Sequence, residues 1–365
     1  MNASDSILSR DEQQRYARHI AIPAVGRQGQ EKLKKARVLV IGCGGLGCPL
    51  LQYLTAAGVG TIGIVDDDTV ALSNLQRQIL FADEDIGKHK VEVAKRKLAQ
   101  LNPQVKIEIF AERLTSENAL RLFSDYDIVC DGTDNFPTRY LVNDACVLAN
   151  KINVFAAVNR FDGQVAVFNF HSKINYRDLF PHPPHPDEVQ NCAEAGVLGT
   201  MCGIVASVQA NEVIKICIGI GEVLDGKLLR LDGLSLVQSV FTIPKNPAII
   251  IDTLIDYELF CMPSPSAVKE ITSDELREIL RDNQDVQLID VREPSEHDLE
   301  DIGGELIPMH TVLSNQHKIS REKKVVVYCK SGTRSEKAIR NLENEAGFSN
   351  LYNLKGGIDQ FLKNN

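Results

Sequence analysis

The glycine-rich segment Gly42–Gly47 is the first stretch whose residues and spacing indicate a binding site. Its glycines are Gly42, Gly44, Gly45 and Gly47, and they directly follow an apolar run. Glycines at such a place permit a tight turn and a close approach of the backbone to a phosphate, which the N-terminus of a following helix attracts. Asp66 ends the next apolar run, where a carboxylate can hold ribose hydroxyls. The segment predicts a nucleotide site, and by itself it is also compatible with NAD.

Charged side chains downstream of Asp66 favour a nucleoside triphosphate over NAD. Arg77 closes the stretch Ser73–Gln78, Lys90 begins a helical pattern, and Asp134 follows another apolar run. Ligands of open parallel sheets bind at the carboxyl ends of strands, so we expect these residues to meet in one crevice. Arginine and lysine suit the charge of a triphosphate, and a carboxylate suits Mg²⁺. A dehydrogenase, the rival interpretation, needs none of these groups there.

Cys329 opens a second group, the loop Cys329–Arg334 between a strong apolar run and a helical pattern. Successive backbone N–H groups at a helix N-terminus form an anion-binding nest that stabilises a thiolate or a persulfide. Lys330 and Arg334 add positive charge to this loop. Four residues separate Cys329 from Arg334, so the loop is narrower than the phosphate-holding loop of cysteine-dependent phosphatases.

A third candidate is Cys192, which follows the Pro-rich stretch Phe180–Pro186 and precedes a glycine-rich helix start. A thiol on a loop could approach an activated acyl group and withdraw, and the nearby helix start would lower its pKa. The alternative interpretation is an incidental loop cysteine. Six further cysteines fall in predicted strands or helices and are interpreted as small buried hydrophobes: Cys43, Cys48, Cys130, Cys146, Cys202 and Cys217.

Two α/β blocks must position these residues. From about Ala36 to Ile243, apolar runs alternate with helical spacing, which predicts a doubly wound parallel sheet with helices on both faces. The Pro- and Ser-rich stretch Met262–Ser266 is typical of a linker. A shorter α/β pattern follows it. We therefore predict domains at residues 1–262 and 268–365, joined by a linker at 263–267.

The predicted strands and helices have the following bounds. The strands of the first block are Arg37–Ile41, Thr61–Val65, Lys106–Phe110, Asp127–Cys130, Val154–Val158 and Gln164–Phe168. Its helices are Leu46–Ala57, Lys90–Leu101, Asn118–Ser124, Thr138–Ala149 and about Gly203–Cys217. The second block has helices Ser273–Arg281 and Ser335–Glu345, and strands Val286–Asp290, Lys324–Tyr328 and Leu351–Leu354.

Composition excludes several classes of protein. The 365 residues are 44% hydrophobic and carry a formal net charge of -9, which disfavours a broad electrostatic grip on nucleic acid or anionic lipid. There is no uninterrupted apolar run of about 18 residues, and the polar stretch Met1–Gln14 lacks the apolar core of a signal peptide. Nine scattered cysteines are typical of reduced thiols. We expect a cytoplasmic protein that binds neither nucleic acid nor a membrane.

The first block resembles the MoeB/ThiF/HesA family, ubiquitin-activating-enzyme-like adenylyltransferases that charge small sulfur-carrier proteins. The resemblance runs from about Arg15 to Phe260. Besides the glycine-rich segment, it rests on Arg15–Arg18, Asp66–Asp68, Ser73–Gln78, Asp131–Asn135 and Cys192–Gly199. The Rossmann-like nucleotide site that the family implies comprises Arg18, Gly42, Gly44, Gly45, Gly47, Asp66, Ser73, Asn74, Leu75, Gln76, Arg77, Lys90, Asp134 and Asn135. It implies that Asp134 holds Mg²⁺.

Arg18 carries a further implication of this resemblance. In the family this arginine would reach the phosphates in the neighbouring subunit's site, which implies a homodimer. Without the resemblance, a solvated helix face would be the preferred interpretation of Arg18.

The second block, about Val268 to Leu362, resembles rhodanese sulfurtransferases. The stretches that carry this resemblance are Cys329–Arg334, Leu288–Glu293 and Leu354–Ile358. It implies that Cys329 carries a persulfide, while Asp290 and Arg292 support the loop. The segment Asp301–Pro308 is less regular than its rhodanese counterpart.

Zinc is the one family feature whose ligands are missing. Members of the first family often hold a structural zinc with two Cys-x-x-Cys pairs, but the matching stretches Asn175–Asp178 and Pro244–Ile251 contain no cysteine. Because zinc prefers four Cys or His ligands in fixed spacing, we predict that zinc is absent. Asp178 could offer a hydrogen-bond substitute there. His182 and His185 are interpreted as ordinary loop residues.

These resemblances imply an enzyme that uses ATP to adenylylate the C-terminal Gly-Gly carboxylate of a ubiquitin-like carrier. Arg77, Lys90 and Mg²⁺ would stabilise the developing charge. A persulfide on Cys329, with its sulfur passing through Cys192, would then yield a thiocarboxylate. The pathway stays open among molybdopterin, thiamine, cysteine and tRNA thiolation. One alternative is a rhodanese domain that only binds the carrier or regulates, and another is a non-catalytic scaffold.

Overall fold

The sheet of the first unit is built from apolar strands whose successive side chains point to opposite faces of the sheet. In β1, Val38 and Val40 face one hydrophobic core, whereas Leu39 and Ile41 face another on the opposite side of the sheet. This two-sided burial explains the continuous apolar runs. In this computed structural model the described residues are 7–183, 196–261, 268–282 and 285–363. The chain divides into two units, Met1–Met262 and Pro263–Asn365.

The first unit contains an eight-stranded sheet in the order β3-β2-β1-β4-β5-β6-β7-β8. Strands β1 to β5 pair in parallel, and β6, β7 and β8 extend the sheet antiparallel. The strands are β1 Arg37–Ile41, β2 Thr61–Val65, β3 Lys106–Phe110, β4 Ile128–Asp131, β5 Ile152–Asn159, β6 Asp162–Phe168, β7 Lys227–Asp232 and β8 Gln238–Thr242. The predicted doubly wound α/β sheet is confirmed.

Helices cover both faces of this sheet. They are α1 Arg10–Arg15, α2 Ala17–Ile20, α3 Gly26–Lys35, α4 Gly47–Ala57, α5 Lys90–Leu101, α6 Ala119–Ser124, α7 Phe136–Leu148, α8 Tyr176–Leu179, α9 Gly199–Ile218 and α10 Tyr257–Cys261. Residues of α4, α5 and α9 lie in the core with Val38, and residues of α6 and α7 lie in the core with Leu39. Both faces of the parallel strands are therefore buried under helices.

Helix α9 is long and apolar enough, by length and composition, to cross a membrane. Half of its apolar window is buried inside the unit, however. Val205, Ala210 and Val213 belong to the core beneath β5 and β6, and the buried Gln209 donates to the backbone carbonyls of Asp131 and Val154 at 2.8 Å each. These contacts are those of a core helix in a folded domain.

The second unit has a parallel five-stranded sheet in the order β11-β10-β12-β13-β9. Its strands are β9 Glu270–Ile271, β10 Val286–Asp290, β11 Glu305–Leu306, β12 Lys324–Tyr328 and β13 Leu351–Leu354. Its helices are α11 Ser273–Arg281, α12 Pro294–His297, α13 Thr333–Ala346 and α14 Gly357–Lys363. Cys329 directly follows the buried central strand β12. The predicted linker, like Cys192 and His185, lies outside the described residues.

Candidate functional site

A cavity of about 350 Å³ opens at the carboxyl ends of β1, β2 and β4. Eight of the predicted nucleotide-site residues line it: Gly42, Gly44, Gly45, Asp66, Arg77, Lys90, Asp134 and Asn135. Among the described residues, those lining the cavity do not include Arg18, Gly47 or the stretch Ser73–Gln76. Arg18 lies exposed on α2. The fold thus brings most of the predicted set around one crevice, and their role toward a nucleotide stays a prediction.

The glycine-rich segment turns sharply between β1 and α4. Gly42 has φ 89°, in the left-handed region that favours glycine. A Cβ on Gly47 would lie 2.0 Å from the carbonyl oxygen of Gly42. Gly47 is therefore needed for the close approach of the loop to the start of α4.

Two carboxylates organise the loop and the lysine beside it. Asp66 accepts from the backbone N–H of Cys43 at 2.7 Å and of Asp68 at 2.9 Å, and burial raises its pKa. Lys90 donates from Nζ to Asp68 Oδ2 at 2.7 Å. Burial lowers the pKa of Lys90, but this hydrogen bond and the charge of Asp66 outweigh it, so the pKa is raised. Lys90 is thus a firmly charged ammonium at the edge of the cavity.

Arg77 is positioned by the turn that precedes it. Its Nη1 donates to the carbonyl of Ser73 at 3.1 Å, and the side-chain oxygen of Asn74 accepts from the N–H of Ala71 at 3.0 Å. The residues Ser73–Gln76 therefore shape the turn that directs Arg77 to the cavity.

The loop after β4 holds Asp134 at the cavity wall. Asp131 is fully buried, and its Oδ1 accepts from the N–H and the hydroxyl of Thr133 at 3.0 and 2.7 Å. Burial raises its pKa against the opposing effect of Arg139. The Asn135 side chain caps α7 by accepting from the N–H of Thr138 at 2.9 Å. Asp134 stands exposed between these anchors.

Mg²⁺ would fit at Asp134. A nucleotide-bound Mg²⁺ needs only one or two protein carboxylates, since phosphates and waters complete its octahedron. The described ranges contain no group of three or more His, Cys, Asp or Glu side chains able to hold a metal by themselves. The exposed carboxylate of Asp134, on a cavity that also holds Lys90 and Arg77, is therefore the kind of donor that suits a metal delivered with a triphosphate.

Asp131 at the end of β4 and Arg139 in α7 both hold this loop in place, a role that the sequence analysis missed. Arg139 donates from Nη2 to the carbonyl of Thr133 at 3.1 Å and stacks over the rings of Phe136 and Phe155. Asp131 belongs to the stretch Asp131–Asn135 at the end of an apolar run, so its residue type and position could have indicated a role in the site. Arg139 gave none, because an arginine within a helical pattern is usually solvated.

The loop Cys329–Arg334 of the second unit forms a cradle around the Cys329 sulfur. Only 1% of the surface of Cys329 is exposed. Its Sγ accepts from the N–H of Gly332 at 3.2 Å and from the hydroxyl of Ser335 at 3.4 Å. Burial raises the pKa of the thiol, but hydrogen bonds from Ser335 and from the backbone N–H groups of the loop outweigh it, so the pKa is lowered. Gly332, at φ 95°, gives the loop its turn. The cradle favours a thiolate.

Asp290 and Arg292 form a buried pair at the end of β10, where Asp290 lies opposite Tyr328, the residue before Cys329. Asp290 is fully buried and accepts from Arg292 Nε at 2.9 Å and Nη2 at 2.6 Å. The N–H of Ile358 donates to the carbonyl of Cys329 at 2.9 Å. A Cβ on Gly357 would lie 2.5 Å from that same carbonyl oxygen.

One carboxylate joins the two stretches at which the sequence lacks the cysteine pairs expected of a zinc site. Asp178 accepts from the N–H of Asn175 at 2.8 Å, from the N–H of Asn246 at 3.0 Å and from Lys245 Nζ at 2.9 Å. The hydrogen-bond substitute expected at Asp178 is therefore present. His182 is exposed in the adjoining loop.

Comparison with known families finds two matches along the chain. The ThiF family matches residues 16–249, and the rhodanese-like domain matches residues 272–364.

Curated relatives combine both parts. The chain is 47% identical, over 98% of its length and 95% of the relative's, to the probable adenylyltransferase/sulfurtransferase MoeZ of Mycobacterium tuberculosis. It is 38% identical, over 98% of its length and 89% of the relative's, to the adenylyltransferase and sulfurtransferase MOCS3 of Culex quinquefasciatus. The sulfur carrier protein adenylyltransferase of Thermus thermophilus is 49% identical, covering 69% of this chain and 98% of that protein.

Solved structures share the fold of the first unit. That of E. coli MccB with MccA-N7isoASN matches with a TM-score of 0.59 at 23% identity, covering 68% of this chain and 76% of that chain. At this identity the likeness concerns the fold alone.

Proposed function

The chain belongs to the ThiF family, and from this premise we propose that it adenylylates the C-terminal Gly-Gly carboxylate of a ubiquitin-like sulfur-carrier protein and then supplies sulfur for a thiocarboxylate. The predicted pairing of a MoeB/ThiF/HesA-type domain with a C-terminal rhodanese domain is confirmed. So is the enzyme class, because full-length relatives are adenylyltransferases and sulfurtransferases. The carrier itself is part of the proposal.

The observation that carries the proposal is that one chain combines a glycine-lined cavity that holds a lysine and an arginine with a thiolate-stabilising cradle. Lys90 and Arg77 line the cavity next to the glycine-rich segment, and Cys329 has a lowered pKa within its loop. An adenylyltransferase alone would need only the first of these. The second supplies a nucleophile suited to carrying sulfane sulfur.

In the first step, the carrier's carboxylate attacks the α-phosphate of ATP and pyrophosphate leaves. Arg77 and Lys90 stabilise the negative charge that develops on the phosphate oxygens. The backbone N–H groups at Gly44 and Gly45 approach the phosphates, since neither residue carries a Cβ. Asp134 would hold Mg²⁺, which supplies further positive charge beside the phosphates when bound.

In the second step, Cys329 bears a persulfide whose terminal sulfur attacks the acyl carbon of the adenylate, and AMP leaves. Cys192, which lies outside the described residues, is proposed as the thiol that attacks the Cys329 sulfur of the resulting acyl disulfide. The S–S bond to the carrier breaks, the thiocarboxylate leaves with the electron pair, and a disulfide between Cys192 and Cys329 forms, which an external dithiol reductant must reduce before the next cycle. Because donor and acceptor sites share one chain, the persulfide meets the labile adenylate at a high effective concentration. We further propose a cytoplasmic homodimer in which Arg18 reaches the partner's site.

The test uses the full chain and a small carrier ending in Gly-Gly, isolated by pull-down. ATP–pyrophosphate exchange that depends on the carrier, followed by replacement of carboxylate oxygen by sulfur on its C-terminus, is the expected result. Both would be read by isotope exchange and by mass spectrometry of the carrier. Exchange without any sulfur incorporation, unchanged by Cys329→Ala, would favour a rhodanese domain that only binds the carrier or regulates.

A further inference from the structure

The cavity of the first unit carries more negative than positive side chains, although its proposed ligand is a polyanion. Among the described residues that line it, five carboxylates, three of them on the stretch Asp66–Asp68, stand against three cations: Arg77, Lys90 and Arg113. Carboxylates repel phosphates, so every cation of this cavity matters for binding. The partner that holds each cation therefore decides how much of its charge a phosphate can use.

The backbone itself brings Lys90 next to Asp68. Residues 68–70 run antiparallel to residues 87–90. The N–H of Lys90 donates to the carbonyl of Asp68 at 3.0 Å. The N–H of Val70 donates to the carbonyl of Lys88 at 2.9 Å, and the carbonyl of Val70 accepts from the N–H of Gly87 at 2.8 Å. The pairing of these two side chains is thus built into the fold of the cavity edge.

The two side chains of this pair differ strongly in their exposure to solvent. Lys90 Nζ lies 2.7 Å from Asp68 Oδ2. The side chain of Lys90 is 5% exposed, whereas that of Asp68 is 67% exposed. The buried stem of Lys90 restricts where its ammonium can go, while the carboxylate of Asp68 is readily hydrated when it loses its partner. A phosphate would therefore reach the ammonium in competition with Asp68.

We propose that Asp68 is a positioning residue that competes with the phosphates of ATP for the ammonium of Lys90, so that it weakens the binding of ATP and eases the departure of pyrophosphate. This inference rests on the proposed adenylylation and deepens it. In that step the carrier's carboxylate oxygen bonds to the α-phosphorus. The bond from that phosphorus to its bridging oxygen breaks, and the electron pair leaves on pyrophosphate. Asp68 then neutralises Lys90 again, which lowers the affinity for the released anion.

The experiment measures binding of MgATP and of magnesium pyrophosphate to the full chain by calorimetry, without a carrier. Asp68→Asn keeps an acceptor oxygen beside Lys90 and removes the negative charge. Asp67→Asn is the matched control, since Asp67 is exposed, lines the same cavity and, among the interactions of the described residues, forms no ion pair with Lys90. It reports the general effect of removing one negative charge. Asp68→Asn should bind both ligands about fivefold more tightly than Asp67→Asn, the upper end for an ion pair with one solvated partner.

A double-mutant cycle with Lys90→Met tests whether Asp68 acts through Lys90. The advantage of Asp68→Asn over Asp67→Asn should disappear once residue 90 has lost its charge. Adenosine, which offers Lys90 no negative charge, should bind to the wild type and to both aspartate variants equally. In carrier-dependent ATP–pyrophosphate exchange, Asp68→Asn should lower the KM for ATP without raising kcat, because pyrophosphate leaves more slowly.

A merely structural role of Asp68 predicts the opposite sign. Weaker binding of MgATP to Asp68→Asn would overturn the inference, whether Lys90 had lost its place or Asp68 were a ligand of the metal. An advantage over Asp67→Asn that persists beside Lys90→Met, or an equal gain for adenosine, would overturn it too. A wild type that does not bind MgATP would overturn the proposed function, and this inference with it. The two failures are thus distinguishable.

Discussion

Asp178 offers a direct test of how this chain holds together the stretches Asn175–Asp178 and Pro244–Ile251. Its side chain is fully buried, whereas that of its partner Lys245 is 48% exposed. We expect Asp178→Ala to lower the free energy of unfolding of the first unit, because the N–H groups of Asn175 and Asn246 lose their acceptor. A buried donor left unsatisfied costs about 1–3 kcal/mol, and a partly solvated one costs about 0.5–1.5 kcal/mol. The expected loss is therefore about 1.5–4.5 kcal/mol.

Lys245→Ala is the matched control. It removes only a half-exposed ion pair, which contributes about 0–1 kcal/mol. Urea unfolding of the full chain, read by a short protease pulse that reports each unit by fragment mass, measures both variants. The transition of the second unit should not move in either variant, and serves as an internal reference.

Two results would refute this reasoning. If Lys245→Ala costs as much as Asp178→Ala, the ion pair and not the backbone acceptor stabilises the edge. If elemental analysis of the purified wild type finds one equivalent of zinc per chain, the prediction that zinc is absent is wrong.

Three further predictions concern the two sites. Asp134→Ala should abolish carrier-dependent ATP–pyrophosphate exchange with an unchanged circular dichroism spectrum, while the exposed Asp83→Ala should leave exchange intact; exchange near the wild-type rate would remove Asp134 from the site. Cys329→Ala and Cys329→Ser should keep exchange and abolish thiosulfate:cyanide sulfurtransferase activity, since serine cannot carry sulfane sulfur; residual transfer would point to another thiol. Despite its burial, Asp290 has a lowered pKa because Arg292 and His297 hydrogen-bond to it. Its contribution to the unfolding free energy of the second unit should therefore be complete above the unfolded pKa of about 4 and be lost as the pH falls through the lower folded pKa. Asp290→Asn should flatten this dependence of the unfolding free energy on acid pH.

The strands and helices around the glycine-rich segment could be predicted almost to the residue. β1 and β2 have the predicted bounds, and α4 starts one residue after the predicted Leu46. These strands are buried on both faces, so their sequence is uniformly apolar and their ends are marked by glycine or aspartate. The same holds for β10, β12 and β13 in the second unit.

Strands β7 and β8 were not predicted. Most residues of β8 are exposed, and only two of the six residues of β7 are buried. Because β8 lies at the edge of the sheet, little apolar periodicity is imposed on its sequence. β7 is placed by antiparallel pairing with β6, and β8 by antiparallel pairing with β7. No local sequence pattern indicates these pairings.

Residue types and their spacing were enough to locate both candidate sites, because a glycine-rich turn or a Cys329–Arg334 loop acts through its own backbone and its spacing along the chain. The contacts of those groups could be read only from the folded chain. Asp178 meets the N–H of Asn246 across 68 residues, and Glu296 meets Arg334 across 38 residues. Such contacts depend on how helices and loops pack against a sheet. A single sequence carries no local signal for a carboxylate whose hydrogen-bond partner lies far away along the chain.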